Sequence, residues 1–122
     1  MATAFVPLAA TPTYSATKAA LASYAKSLSK EFGPKGIRVN TISPGPVSTD
    51  LWLAEGGVAA QFAAASGGTA DDVVASVSAG APTGRFTTPG EVADLTVFLA
   101  SSRSGNTTGA DVRVDGGYVA TL

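Results

Sequence analysis

The chain has 122 residues, a formal net charge of −1, a pI near 5.1, and neither cysteine nor histidine. The charge balance argues against a nucleic-acid partner, and the missing Cys and His exclude a disulfide framework, a thiolate nucleophile and the usual zinc ligands. Apolar residues make up 45%, enough for a packed core, and no stretch approaches the roughly 18 apolar residues of a membrane span.

The length suggests one domain, residues 1–122. With no histidine or cysteine, tyrosine, lysine and carboxylates are the proton-transfer groups left. Met1 to Ala10 lacks a basic region, and Pro7 interrupts its apolar run. It reads as a loop leading into the first helix rather than a secretion signal, so the expected location is cytoplasmic.

Thr11 and Pro12 form a helix start, with Thr as N-cap and Pro in the first helical position. Ala16, Ala19, Ala20, Tyr24, Leu28 and Phe32 then recur at spacings of three and four. They give one apolar stripe whose small residues allow close approach to another element. Gly33-Pro34 ends the helix, with Gly33 expected in the left-handed C′ position. Lys26, Lys30 and Lys35 read as a solvated face and the turn after it.

Tyr14 and Lys18 are four residues apart in this helix, so they share one face. A free tyrosine titrates at about 10, and bringing it toward neutral pH means stabilising the phenolate by roughly 3–4 kcal/mol. A fixed ammonium in a partly desolvated site supplies stabilisation of that kind. Read alone, the pair also fits an ordinary surface helix.

Ile37 to Ile42 is β-branched-rich and predicts a strand. Ser43-Pro44-Gly45-Pro46 stops it with a rigid turn at its carboxyl end, where open α/β sheets bind ligands. Pro46 has no N–H and Gly45 no side chain, so a flat ring can lie close to this backbone. An ordinary proline turn is the alternative. Leu51 to Ala79 is alanine-rich and broken by Gly56-Gly57 and Gly67-Gly68, which predicts two short helices with mobile joints. Thr69-Ala70-Asp71-Asp72 is the capped start of one of them.

Thr88-Pro89-Gly90-Glu91 after the Gly84-Arg85-Phe86 loop is a capping box with Pro at N1. Glu91 is therefore a cap. Val92, Leu95, Phe98 and Leu99 give that helix a broad apolar face, and Ser101 to Gly105 ends it. Thr108 to Asp115 is the last strand, with Asp115 as a turn former.

Several of these stretches form a set. Tyr14-Ser15-Ala16-Thr17-Lys18-Ala19-Ala20-Leu21 is followed by Gly36-Ile37-Arg38-Val39-Asn40-Thr41-Ile42-Ser43-Pro44-Gly45-Pro46-Val47-Ser48-Thr49, by Gly84-Arg85-Phe86 with Pro89-Gly90-Glu91-Val92-Ala93, and by Thr108-Gly109-Ala110-Asp111-Val112-Arg113-Val114-Asp115-Gly116-Gly117. In this order and spacing they resemble the C-terminal half of a short-chain dehydrogenase/reductase, from about Tyr14 to Tyr118. The resemblance implies an α/β fold: the C-terminal part of a Rossmann-like, doubly wound parallel sheet. Its share here would be two strands joined by a right-handed crossover, with about four helices.

The resemblance further implies hydride transfer between NAD or NADP and a carbonyl or alcohol substrate, with no metal. Tyr14 would be the general acid/base. Lys18 would lower the Tyr14 pKa and bond the nicotinamide ribose. Pro44 and Gly45 would shape the nicotinamide seat, with Val47 offering backbone groups and Thr49 its hydroxyl. Residues 51–80 would form the lid over substrate, with Trp52 and Phe62 either touching substrate or packing the lid onto the body. The low charge of the lid favours an uncharged or apolar substrate. Family members dimerise through the Tyr14 helix and use the last strand and its tail in a tetramer.

Two family features have no counterpart in these residues. One is the glycine-rich dinucleotide turn of the N-terminal half; the other is the catalytic serine, whose place falls on or beside Met1. The first strand would then be open on one side, and such an edge pairs with other chains. The expected partners are a second copy of the chain or a chain supplying the missing strands. The other reading is a truncated, inactive remnant acting at most as an oligomerisation module.

Overall fold

The computed structural model describes residues 11–120, and the loop and signal readings of Met1 to Ala10, with the serine position beside Met1, lie outside them. The order is α1 (Pro12–Phe32), β1 (Thr41–Pro44), α2 (Asp50–Leu53), α3 (Val58–Ser66), α4 (Ala70–Ala79), α5 (Pro89–Ala100) and β2 (Asp111–Val114). Among the described residues, β1 and β2 pair in parallel, with Thr41 opposite Asp111 and Pro44 opposite Val114. Four helices have nine residues or more, and α2 is a single turn of four. This is the expected α/β arrangement.

Helix α1 starts where its sequence says, at Thr11 and Pro12. Its end differs. Gly33 keeps a right-handed φ of −51°, and the chain tightens into a 3₁₀ turn over Gly33–Lys35. Gly36, with φ of 76°, takes the left-handed cap instead. The fixed φ of Pro34 suits the first turn of that 3₁₀ segment, so it passes the chain reversal on to the next glycine.

The expected stripe on α1 faces outward. Ser15 and Ser29 are the buried residues of the helix, while Ala16, Ala19, Ala20 and Tyr24 are exposed and Leu28 and Phe32 half-buried. Close approach to the sheet depends on Gly109 rather than on the alanines. A side chain there would sit 2.6 Å from Ser29 Oγ. Its bare carbonyl accepts from Lys26 Nζ at 2.7 Å. Lys26 is therefore a tether between α1 and the sheet, not merely a solvated charge.

Both strands are shorter than their β-branched runs, because side chains take over the bonding at their entrances. Ile37 to Asn40 and Thr107 to Ala110 lie side by side without a regular ladder. Val39 N–H donates to Thr108 Oγ1 at 3.1 Å, and Gly109 N–H donates to Val39 O at 2.7 Å. The Asn40 amide imitates a peptide group: it donates to Thr107 O at 2.8 Å and accepts from Ala110 N–H at 3.1 Å. The backbone ladder starts only at Thr41, whose N–H donates to Ala110 O at 2.9 Å.

Arg38 closes the same region. Its guanidinium donates to Leu99 O at 2.7 Å, Ser101 O at 3.0 Å, Ser104 Oγ at 3.0 Å and Thr107 O at 3.3 Å. Leu99 and Ser101 offer carbonyls that the end of α5 leaves without helical partners, and a cation also suits that pole of the helix.

The N-terminus of α5 carries the expected capping box. Thr88 N–H donates to Glu91 Oε2 at 2.8 Å, and Glu91 N–H donates to Thr88 Oγ1 at 3.2 Å. Arg85 adds a fork onto the same carboxylate at 2.6 and 3.0 Å. The apolar face of α5 is narrower than expected: Leu99 is buried and Val92 and Leu95 half-buried, but Phe98 is exposed. Thr69 and Asp72 form a second box on α4, also as expected. The core is small, made of Ala59, Ala63, Ala81, Phe86, Leu99 and Val119. Ala59 and Ala63 let α3 lie close on its neighbours.

Two predictions follow from these contacts. Arg38→Ala removes the charged donor to the Leu99, Ser101 and Thr107 carbonyls and leaves them only Ser104 and Asn40, and urea unfolding should show a loss of about 1–3 kcal/mol. Arg38→Lys should recover only a minor share, since one ammonium cannot reach both chain segments; a loss under about 0.5 kcal/mol for the alanine variant would contradict this account. Arg85 and the Thr88 N–H hold the Glu91 carboxyl down at about 2, against an ordinary value of 4.5. The folded pKa is the lower one, so this contribution is present above pH 4.5 and is lost as pH falls through about 2. NMR titration of Glu91 should give that low midpoint, and Arg85→Ala should raise it.

Candidate active site

Helix α1 carries Tyr14 and Lys18 on one face, as i,i+4 spacing requires. Lys18 Nζ stands 5.3 Å from the centre of the Tyr14 ring. Tyr14 is 49% exposed and Lys18 half-buried. A cation over an aromatic face is worth about 0.5–1 kcal/mol at an exposed site. The contact engages the ring face and not the phenol oxygen. Thr17, one of the intervening residues, bonds back to Tyr14 O at 2.8 Å. Beside this pair, toward the body of the protein, the Ser15 and Thr11 hydroxyls are buried with no hydrogen-bond partner.

The second grouping is the turn after β1. Gly45 N–H donates to Val114 O at 3.0 Å, continuing the ladder one step past Pro44. A side chain on Gly45 would meet Asp115 Cβ at 2.8 Å and Cα at 2.9 Å. The absent side chain of Gly45 thus makes room for the end of β2, which is a different reason from the expected space for a flat ring.

Beyond it, Val47 forms a parallel bridge with Thr87. Thr87 N–H donates to Pro46 O at 2.9 Å, and Thr87 O accepts from Ser48 N–H at 2.9 Å. Thr87 Oγ1 donates to Val114 O at 3.0 Å, which pins the turn to the sheet. Bonds of this pattern use the neighbours of Val47 and leave the Val47 N–H with no acceptor among the described residues. Thr49 Oγ1 has only a long contact of 3.5 Å to Val47 O, at the limit of a hydrogen bond. One free N–H and one free hydroxyl two residues apart match an amide ligand, which needs a donor for its oxygen and an acceptor for its nitrogen. The Val47 and Thr49 groups thus fit a nicotinamide carboxamide.

The third grouping is the lid. Trp52 N–H donates to Thr49 O at 2.9 Å, so the lid starts directly from the turn. The Trp52 ring meets Phe86 edge-on, with centroids 5.3 Å apart and planes at 88°. Phe86 is buried and precedes Thr87, so Trp52 does pack the lid onto the body. It also lines, with Phe62, Val73, Val77 and Tyr118, a cleft of about 440 Å³. Phe62 is 49% exposed there. Gly56 and Gly67, at φ of 74° and 81°, give the left-handed turns that separate α2, α3 and α4.

Tyr118 is a lining residue that sequence patterning does not single out. Asp115 places it: its carboxylate accepts from Gly117 N–H at 2.9 Å and Val119 N–H at 3.1 Å. Asp115 is the expected turn former, and Asp115-Gly116-Gly117 ahead of an aromatic was the available signal. Tyr118 then lies against Gly80, where a side chain would come within 3.0 Å of the ring.

A family profile described as enoyl-(acyl carrier protein) reductase matches residues 1–119. The short-chain reductase protein NovJ of Streptomyces niveus is 38% identical over 104 residues, covering 85% of this chain and 37% of the relative. The 3-oxoacyl-[acyl-carrier-protein] reductase FabG of Chlamydia muridarum is 39% identical over 104 residues, covering 85% of this chain and 36% of the relative. The crystal structure of L-sorbose reductase from Gluconobacter frateurii, complexed with NADPH and L-sorbose, superposes with a TM-score of 0.86 at 38% identity, over 98% of this chain and 44% of that one. The chain thus spans little more than a third of the length of the curated relatives it matches. A profile match across nearly all its residues, on a parallel α/β frame of the same shape, establishes that the chain belongs to the short-chain dehydrogenase/reductase family of oxidoreductases and represents part of its Rossmann-like domain.

Proposed function

We propose that this chain carries the proton-transfer half of a nicotinamide-dependent carbonyl reductase or alcohol dehydrogenase. The carrying observation is the Tyr14/Lys18 pair, with the ammonium 5.3 Å from the ring centre and the phenol oxygen left free. NAD(P)H, when bound, supplies the hydride that reduces a carbonyl carbon. In that direction the Tyr14 O–H bond breaks and its proton passes to the carbonyl oxygen. Lys18 stabilises the phenolate that remains, which then regains a proton from solvent. Oxidation of an alcohol runs the same transfer backwards. Lys18 also serves the ribose, Val47 N–H and Thr49 Oγ1 hold the carboxamide, and Pro44, Gly45 and Pro46 keep that seat rigid. Whether the dinucleotide is NAD or NADP is decided by residues outside this set. A cytoplasmic location belongs to the same reading. Among the described residues, no helix is long and apolar enough to cross a membrane.

The test has a binding arm and a rate arm. Nicotinamide mononucleotide contains the portion this half would hold, and saturation-transfer NMR should show contact to its ring protons that Thr49→Val weakens. In carbonyl-dependent NADH or NADPH oxidation, Tyr14→Phe should lower the rate by about 10²–10⁴-fold, the usual worth of a general acid, with dinucleotide binding retained. Absent nicotinamide contact, or an unchanged rate in Tyr14→Phe, would overturn the assignment.

A specific observation supports a second reading, an oligomerisation module. The outward face of α1 leaves Leu21 48% and Tyr24 61% exposed, and β1 is paired on one side alone among the described residues. Helix α1 would then pack on a second copy. Light scattering after size exclusion should give a mass above the 12.0 kDa of one chain, reduced by Leu21→Glu. A compact, cooperatively unfolding monomer at micromolar concentration would refute this.

A further inference from the structure

We infer that the cleft between α3, α4 and Tyr118 takes an uncharged, apolar body, such as a fused-ring or medium-chain ketone, and discriminates against polyols and acids. The inference rests on the proposed carbonyl chemistry for its functional meaning, and on the cleft itself for its selectivity.

Five of its walls are apolar or aromatic: Trp52, Phe62, Val73, Val77 and Tyr118. Its volume of about 440 Å³ falls in the usual range of small-molecule sites, roughly 300–1,000 Å³. No cation lines it, so an anionic ligand would be desolvated without a partner. Its one carboxylate, Asp72, is already committed. Asp72 Oδ2 accepts from Thr69 Oγ1 at 2.6 Å and Thr69 N–H at 3.1 Å, bonds that hold the Asp72 carboxyl below its ordinary range. Ser66, also in the wall, donates to Phe62 O at 2.9 Å. A polyol entering this space would surrender many water bonds for the few replacements that the Ser76 and Tyr118 hydroxyls and the Trp52 ring N–H can offer.

The cleft adjoins the turn that carries Val47 and Thr49. Trp52 N–H bonds the carbonyl of Thr49, and the Trp52 ring rests on Phe86, the residue before the Thr87 that bridges Val47. A ligand filling the cleft would thus press on a side chain that connects this region to the turn.

Trp52 is the only tryptophan in the chain, so its emission reports this cleft alone, with no cofactor present. The probes are 2-decalone (uncharged, fused-ring), L-sorbose (polyol) and decanoate (anionic). 2-Decalone should shift the Trp52 emission to the blue and saturate at a concentration at least tenfold below either of the others. Phe62→Ala, at a half-exposed position outside the core, should weaken 2-decalone at least tenfold with unchanged far-UV circular dichroism. Val77→Lys should move the preference toward decanoate. Failure of 2-decalone to saturate, equal or better binding of L-sorbose or decanoate, or unchanged affinity in both variants would overturn the inference. Saturable 2-decalone binding without any hydride transfer would instead count against the proposed function and leave the cleft assignment standing.

Discussion

The Arg38 guanidinium is the contact on which the rest of the molecule depends. One planar cation gathers carbonyls from the end of α5 and from the entrance to β2, and a hydroxyl from the 3₁₀ turn over Ser102–Ser104. The Leu99 and Ser101 carbonyls are left over by the geometry of the helix end, and Arg38 shares them with the Ser104 hydroxyl as it shares Thr107 O with Asn40. Arg is suited to this because its donors are fixed in a plane and diverge, whereas an ammonium acts as a point charge. Two residues on, Asn40 completes the junction by standing in for a peptide group. Together they set the register of β1 against β2 before the first ladder bond is made.

Register decides the chemistry downstream. With Pro44 opposite Val114, Gly45 falls against Asp115, and the chain must pass with no side chain there. Thr87 then clasps the turn by backbone bonds to Pro46 and Ser48 and by its hydroxyl to Val114. The outcome is a rigid seat in which Val47 and Thr49 keep polar groups for a ligand. Asp115, at the other side of Gly45, sends the tail back so that Tyr118 closes the lid cleft. A single strand end thereby positions both the turn that carries Val47 and Thr49 and one wall of the cleft.

Helix α1 stands apart in its physics. Its buried face is narrow, with Ser15 and Ser29 fully buried, and the Lys26–Gly109 bond ties it to the sheet. Ala16, Ala19, Ala20 and Tyr24 of its apolar stripe and Tyr14 are exposed, so the helix contributes little to the core. The small core of alanines, one phenylalanine, one leucine and one valine is in keeping with a chain matching part of a larger domain.

What could be read directly from the residues is what short-range geometry controls. The two capping boxes at Thr69/Asp72 and Thr88/Glu91 and the pairing of Tyr14 with Lys18 depend on partners three or four residues away, and helix geometry brings those together wherever the helix lies; the expected Thr11 cap has no such partner, its hydroxyl being unbonded. The α/β class and the family were legible for a related reason, since motif order records chain topology. The stripe on α1 was legible as apolar but not as outward-facing, because periodicity identifies a face and not what covers it. Arg38 and Asn40 carried no local signal. Arg38 and Asn40 find partners 61 to 70 residues away, and Gly45 meets Asp115 only through the β1–β2 pairing. Such contacts exist only once the strands have docked, so tertiary structure alone decided where the ladder begins, why Gly45 is glycine, and which aromatic rings enclose the cleft.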